Sequence, residues 1–225
     1  MILNSSKTLA ELQIWRERLG LTTPVAAENG GVLLMNTAYG EVKQLIGKPY
    51  HNICHFLMTL REQKGWLFEG FNDWSVAEVM AKTGLNELDA IHAKEREVTE
   101  PILWMDTPEN LELFKTLLDK EQLMLNRGGR FYHVMAKHDK ADAMRFLMNL
   151  EPFKDREPFK NTAIIALGDG ENDLAMLRFA DMAVVMPSAT GKSLQIEDAY
   201  YSKLEAPNGW VQAIESICLG SNTTP

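Results

Sequence analysis

The sequence predicts an α/β protein: a core built on a parallel sheet, interrupted by an inserted α+β domain. Three observations predict it. Ala163–Leu167 and Met182–Met186 are continuous apolar runs about one strand long, as expected of parallel strands buried on both faces. Between them Gly168-Asp169-Gly170 breaks the chain and Glu171–Phe179 reads as a helix, which is the strand, loop, helix, strand order of a parallel α/β unit. From about Gly47 to Ala136 the texture changes to helices mixed with hairpins. The core is therefore expected over roughly 1–46 and 137–225, and the insert over 47–136.

Taken in order, Ile2 and Leu3 read as the tail of a buried strand. Thr8 and Glu11 have capping-box spacing, and Leu9, Leu12, Trp15 and Leu19 give one apolar face of a helix ending near Gly20. Pro24–Ala27 and Val32–Met35, joined by Asn29-Gly30-Gly31, read as a hairpin. In the insert, His51–Lys64 is a helical run and Trp66–Phe71 a strand. Ser75 and Glu78 cap a helix to Lys82, Asn86 opens another to about Glu97, and Pro101–Met105 is a strand. Thr107-Pro108 starts a helix with proline at its first position, running to about Lys120. Gln122–Asn126 and Arg130–Ala136 pair around Arg127-Gly128-Gly129. Asp139–Leu150 is helical, Glu151–Asn161 a polar loop with two prolines, and Asn208–Leu219 the last helix.

Composition narrows the function classes. Of 225 residues, 45% are hydrophobic and 24% charged, ordinary values that exclude disorder and low complexity. Net charge is −8 and no basic stripe occurs, which argues against nucleic acid and anionic membranes as partners. An acidic substrate would have to be held by a few local cations. Cys54 and Cys218 form no CxxC spacing, no apolar run is long enough to span a bilayer, and Met1–Asn4 has no leader character. The expectation is a cytoplasmic protein.

The sharpest chemical signal is Gly168-Asp169-Gly170-Glu171-Asn172-Asp173, at the carboxyl end of a strand, where ligands bind in open α/β sheets. Carboxylates clustered there repel one another unless a cation sits among them, and hard oxygens suit Mg²⁺. The bland reading is a solvated acidic turn. Ser5-Ser6-Lys7-Thr8 could form an anion site at a helix N-terminus or simply cap that helix. Lys140 is a compact cation before a core helix, suited to a phosphoryl group, or it is solvated surface. Arg127-Gly128-Gly129-Arg130-Phe131-Tyr132-His133 offers guanidinium forks for carboxylate or phosphate, or an exposed hairpin end. Gly191-Lys192-Ser193 cannot be a P-loop, because the first glycine would fall at Met186. His51 and His55 have helical ligand spacing but no third ligand nearby.

Together these segments, with Ile2-Leu3-Asn4, Ala27-Glu28-Asn29-Gly30, Glu100-Pro101-Ile102-Leu103 and Asp139-Lys140, resemble the haloacid dehalogenase superfamily. Within it the chain is similar to the mannosyl-3-phosphoglycerate phosphatase family. The resemblance implies a Rossmann-like parallel-sheet hydrolase core with an inserted cap, and a Mg²⁺-dependent phosphatase acting on a small phosphorylated substrate through a phospho-aspartyl intermediate. It implies that Ser5, with Ser6, binds the phosphoryl group, that Lys140 neutralises it, and that Asp169 binds Mg²⁺ with Asn172 and Asp173. It places Lys7, Arg130 and His133 among the substrate-binding residues. The family's Asp-x-Asp-Gly-Thr motif, on the first strand of that core, does not occur in this sequence. Three readings stay open: the nucleophile and that strand lie upstream of Met1, which is the expectation, or the chain is a truncated remnant, or it is a degenerate, non-catalytic relative that binds a sugar phosphate; a different small phosphosugar is the alternative substrate.

Overall fold

The computed structural model describes residues 1–37, 39–149, 163–188 and 194–218. The chain forms two compact units, Met1–Ala143 and Met144–Pro225.

In the first unit β1 (Leu3–Asn4) leads into α1 (Leu9–Arg18). The expected capping box is present: Thr8 Oγ1 accepts from the Glu11 amide, and the Glu11 carboxylate accepts from the Thr8 amide. The buried stripe of α1 is Leu9, Leu12 and Arg16, whereas Trp15 and Leu19 are 46% and 50% exposed. Arg16 turns inward because it pairs with Glu41 and donates to the Thr22 carbonyl. Trp15 instead carries the Arg18 guanidinium over its ring. Ile2 is also exposed, so the strand expected there is shorter.

The hairpin forms as read, from β2 (Val25–Ala27) and β3 (Val32–Thr37), through a 3-10 turn at Glu28–Gly30. An unforeseen strand, β4 (Gly40–Leu45), extends it. Every residue of β4 is exposed, so it shows no buried face from which a sequence pattern could be read. The sheet order is β1-β2-β3-β4, with β1 parallel to β2 and the other pairs antiparallel. Val25, Ala27, Val32 and Leu34 pack with Leu9, Leu12 and Val98.

The insert region contains α2 (Tyr50–Lys64), β5 (Phe68–Gly70), α3 (Val76–Thr83), α4 (Glu87–Lys94), β6 (Thr99–Trp104), α5 (Pro108–Lys120), β7 (Leu123–Arg127) and β8 (Tyr132–Ala136). Its sheet is antiparallel, in the order β5-β6-β8-β7. Strand alternation and register divide its side chains. Phe68, Ile102, Trp104, Leu125, Tyr132 and Val134 face α2 and α5, closing a core around Ile53, Leu57, Phe114 and Leu118. Thr99, Pro101, His133 and Met135 occupy the opposite face. A smaller core joins Phe71, Trp74, Val79, Ala90 and Ala93 with Leu103 and Phe131. Helix α4 ends at Lys94, before the expected Glu97, because residues 97–99 are held elsewhere, as described below.

Helix α6 (Lys140–Met148) begins where Asp139 Oδ1 accepts from the amides of Ala141 and Asp142, which sets Lys140 at its first position.

In the second unit β9 (Ile165–Gly168), a 3-10 turn (Glu171–Asp173), α7 (Leu174–Phe179), β10 (Met182–Val185), β11 (Tyr200–Tyr201) and α8 (Asn208–Cys218) follow. The sheet is parallel, in the order β11-β10-β9, and β11 was not foreseen. Burial on both faces holds for β10, where Ala183, Val184 and Val185 are buried. It fails for β9, where only Ala166 is. Among the described residues β10 is paired on both sides and β9 on one, which accounts for the difference. Ala166, Met176, Leu177 and Ala183 form the local core with Met144. The proline loop 151–161 and Gly191-Lys192-Ser193 lie outside the described residues. No described helix is long and apolar enough to cross a membrane.

Candidate active site

The loop after β1 is held tightly. The Ser5 amide donates to the Ala26 carbonyl and the Ser5 carbonyl accepts from the Asn29 amide. Ser5 Oγ accepts from the Lys7 amide at 3.3 Å. Asn4 Nδ2 donates to the Lys140 carbonyl at 2.9 Å, so Ser5 and the buried Lys140 belong to one neighbourhood. The N-terminus of α1 is not an open anion site. Its capping box engages the Thr8 and Glu11 amides, and Lys7 pairs with Glu11 at 2.7 Å while remaining largely exposed. The Ser6 carbonyl accepts from Arg96 Nη1 at 3.2 Å.

A buried carboxylate organises the floor of this region. Glu28 is fully buried and has φ +50°, followed by Asn29 at +59°. Such left-handed conformations in residues other than glycine cost about 1–3 kcal/mol and persist where the surroundings hold them. Here Glu28 Oε1 accepts from the Glu97 amide, and Oε2 accepts from the Val98 and Thr99 amides and from Thr99 Oγ1. One side chain thus satisfies the donors of the segment entering β6. Arg96 is fixed beside it: Nη1 donates to Thr99 Oγ1 at 2.9 Å, Nε donates to the Ala93 carbonyl, and the guanidinium lies 5.6 Å from the Phe71 ring centroid.

His133 is buried on the sheet face that also bears Thr99, and its Nδ1 has no hydrogen-bond partner among the described residues. Burial, reinforced by the positive charges of Arg96 and Lys140, lowers its pKa to about 3, so the imidazole is neutral. Arg130 is placed elsewhere: its Nη1 donates to the Lys82 and Thr83 carbonyls at the end of α3. On the face toward α2, Glu100 accepts from Tyr50 Oη at 2.7 Å and from the Asn72 amide at 2.8 Å. Burial raises its pKa to about 7 against the pull of the Asn72 amide. Burial and the same carboxylate raise the Tyr50 hydroxyl and push the Cys54 thiol up to about 12. His51 and His55 are exposed on α2.

In the second unit Asp173 Oδ2 accepts from the Asp169 and Gly170 amides at 3.0 Å each, which closes the turn after β9. Asp173 is buried and Asp169 exposed, and Asn172 stands near Gly170. Among the described residues no group of His, Cys, Asp or Glu forms a ready three-ligand metal cluster. Mg²⁺ does not need one. It takes one or two protein oxygens and keeps several waters. Asp169 and the Asn172 amide oxygen fit that demand, with Asp173 bracing the loop.

Sequence reasoning singled out Ser5, Ser6, Lys140 and His133, and all four lie in the first unit. Lys7 and Arg130 are engaged as described, and Asp169, Asn172 and Asp173 share one turn in the second unit. Arg96, Glu28 and Asn4 were missed as contributors. Arg96 lies in the charged run Lys94-Glu95-Arg96-Glu97, which looks like any solvated helix end.

A family model described as haloacid dehalogenase-like hydrolase matches residues 1–214. Solved structures share the fold. A Thermoplasma acidophilum protein is 17% identical with a TM-score of 0.66, over 97% of this chain and 82% of that one. BT1666 from Bacteroides thetaiotaomicron, described among phosphatases of the haloalkanoate enzyme superfamily, is 15% identical with a TM-score of 0.65, over 97% and 81%. The subclass IIB sugar phosphatase BT4131 is 15% identical with a TM-score of 0.62, over 97% and 85%.

Proposed function

The chain belongs to the haloacid dehalogenase-like hydrolases, and from that premise we propose that it is a Mg²⁺-dependent phosphatase of a phosphorylated sugar-glycerate. The substrate assigned is mannosyl-3-phosphoglycerate, the products mannosylglycerate and phosphate. The observation that carries this reading is the neighbourhood of Ser5 and Lys140, tied together through Asn4. A hydroxyl and an ammonium group are a donor pair suited to phosphoryl oxygens, and phosphoryl transfer depends mainly on positioning and charge stabilisation. The sugar phosphatase BT4131, similar in fold, supports the substrate class.

Ser5 Oγ accepts from the Lys7 amide and keeps its own proton to donate to a phosphoryl oxygen. Lys140 neutralises charge on the phosphoryl group. Asp169 and Asn172 would hold Mg²⁺, and Asp173 fixes the loop that carries them. When bound, Mg²⁺ would supply neutralisation of negative charge. Lys7 is paired with Glu11, and Arg130 is held through Nη1 at the Lys82 and Thr83 carbonyls. The sequence contains no Asp-x-Asp-Gly-Thr, so in this reading the attacking carboxylate comes from outside residues 1–225. That absence also favours a second reading, a non-catalytic relative that binds the same class of ester.

One experiment separates the two. Phosphate release from mannosyl-3-phosphoglycerate and other phosphosugars is measured with Mg²⁺ and with chelator, using protein extended by the upstream coding sequence. Mg²⁺-dependent turnover is expected, and Lys140→Ala or Asp169→Ala should reduce it on the order of 10²-fold or more. Silent substitutions would overturn the assignment, and absence of turnover with retained ester binding would establish the second reading.

A further inference from the structure

We propose that the protein pairs with a second copy of itself through the free edge of β4, joining two four-stranded sheets edge to edge about a two-fold axis. The inference is independent of the phosphatase reading.

Strand β4 ends its sheet, and among the described residues it pairs only with β3. All six of its residues are exposed. The Ile46 amide donates to the Gly31 carbonyl, which sets the phase of the ladder. Hydrogen-bonded pairs alternate along an antiparallel ladder, so Gly40, Val42 and Gln44 bond to β3. Glu41, Lys43 and Leu45 turn their amides and carbonyls away from the sheet. The Leu45 carbonyl accepts from Gln44 Nε2 at 2.9 Å. Glu41 and Lys43 therefore form the open stretch of the edge, a template for another strand.

A lysine on an edge strand commonly guards it against pairing. Here Glu41 stands two residues away on the same face, and together they fit a second copy. Two β4 strands aligned antiparallel about Val42 set Glu41 opposite Lys43 of the second copy, and Lys43 opposite Glu41 of the second copy. A shift of two residues either way sets Glu41 against its own copy or Lys43 against its own copy, which like charge disfavours. Charge thus selects one register. The partners within the chain, Arg16 for Glu41 and Glu97 for Lys43, leave these side chains 48% and 46% exposed. A carboxylate has a second oxygen and an ammonium group has three N–H donors, so each can serve two partners.

The same register brings the two copies of Val42 together as a pair without mutual hydrogen bonds, the arrangement in which cross-strand side chains come closest. It also sets Leu45 beside Tyr39 of the second copy. All three are exposed apolar side chains in the single chain. Each copy uses the same edge, so the assembly closes as a dimer and leaves no β4 edge to extend a fibre.

The test is sedimentation velocity of the 225-residue chain between about 5 and 500 µM. The contact is short, so a Kd of about 10–100 µM is expected. Glu41→Lys and Lys43→Glu each place like charges at both cross-strand pairs and should each weaken the dimer at least about tenfold. An equimolar mixture of the two variants should restore it, since one copy then brings two ammonium groups and the other two carboxylates. Loss of the Arg16 or Glu97 pair within the chain gives no such recovery. Amide exchange at Glu41 and Lys43 should slow as concentration rises, while Val42 and Gln44 stay unchanged. A wild type still monomeric at about 500 µM, single variants that associate like the wild type, or a mixture that stays monomeric would overturn the proposal. So would a dimer whose Glu41 and Lys43 amides exchange as fast as in the monomer.

Discussion

The two faces of the β5-β6-β8-β7 sheet each bury a titratable side chain, and they shift it in opposite directions on the pH scale. Toward α2 and α5 the surroundings are aromatic and aliphatic: Trp66, Phe68, Trp104 and Phe114 have centroid separations of 5.0–6.0 Å. There Glu100 is a carboxyl whose pKa has risen to about 7, held by one tyrosine and one amide. On the other face His133 is an imidazole whose pKa has fallen to about 3, in the company of two cations. Desolvation is the leading cause in both cases and opposes charge on either group. What differs is the neighbours. Glu100 has both oxygens satisfied, whereas His133 Nδ1 has no hydrogen-bond partner among the described residues.

That contrast can be broken experimentally. The largest expected effect belongs to His133. Its pKa is depressed, so it contributes stability above the ordinary value of 6.5 that is lost as pH falls toward 3. The full window is worth about 5 kcal/mol, at 1.36 kcal/mol per unit. In urea melts across that range, His133→Asn should flatten the acid limb. An unchanged acid limb would mean that His133 is not the buried neutral group described.

Next comes the apolar face. Phe114→Ala should destabilise by about 3–5 kcal/mol through the cavity it leaves. Thermal and urea unfolding measure this, and a loss below about 1 kcal/mol would show that the face is not close-packed.

Glu100 should give a slope of the opposite sign. Its pKa is raised, so it contributes stability below the ordinary value of 4.5 that is lost as pH rises to about 7, in all about 3 kcal/mol. Glu100→Gln should remove that loss and make the variant relatively more stable at pH 8. Between pH 4.5 and 6.5 the two groups oppose each other, so the single variants reveal slopes that the wild type partly hides.

The smallest expected effect is at Gly70. A Cβ there would stand 2.1 Å from Glu100 Oε1. Gly70→Ala should cost about 1–3 kcal/mol by overpacking. In the Glu100→Ala background the same change should cost less, the Pro101 carbonyl oxygen at 3.1 Å still being close, and a double-mutant cycle gives the coupling directly.

Most elements were legible because their signals are local. Thr8 with Glu11, Ser75 with Glu78 and Thr107-Pro108 mark helix starts through atoms within one turn, and the observed caps match them. The apolar run at 182–186 marked a strand that the sheet buries. The strands β4 and β11 were missed for the converse reason: one is exposed throughout and the other is two residues long. The face of α1 was misread because helical spacing admits Arg16 as readily as Trp15. Its partner Glu41, on β4, is 25 residues away in sequence.

The site divides in the same way. Gly168-Asp169-Gly170 and the Ser5–Thr8 segment could be picked out from sequence, because a glycine break or a hydroxyl run at a strand end is a short-range pattern. Arg96 could not, because its importance comes from the Ser6 carbonyl, 90 residues earlier in the chain. Nor could the role of Glu28, whose carboxylate collects donors about 70 residues further on. By itself the sequence determined the fold class, the element order and the chemical character of the loops, since propensity, capping and hydrophobic period act over a few residues. Only the tertiary structure decided which charges face one another and which polar atoms are left without partners. Those depend on burial and on contacts between distant segments, and burial sets the electrostatic cost of every group it covers.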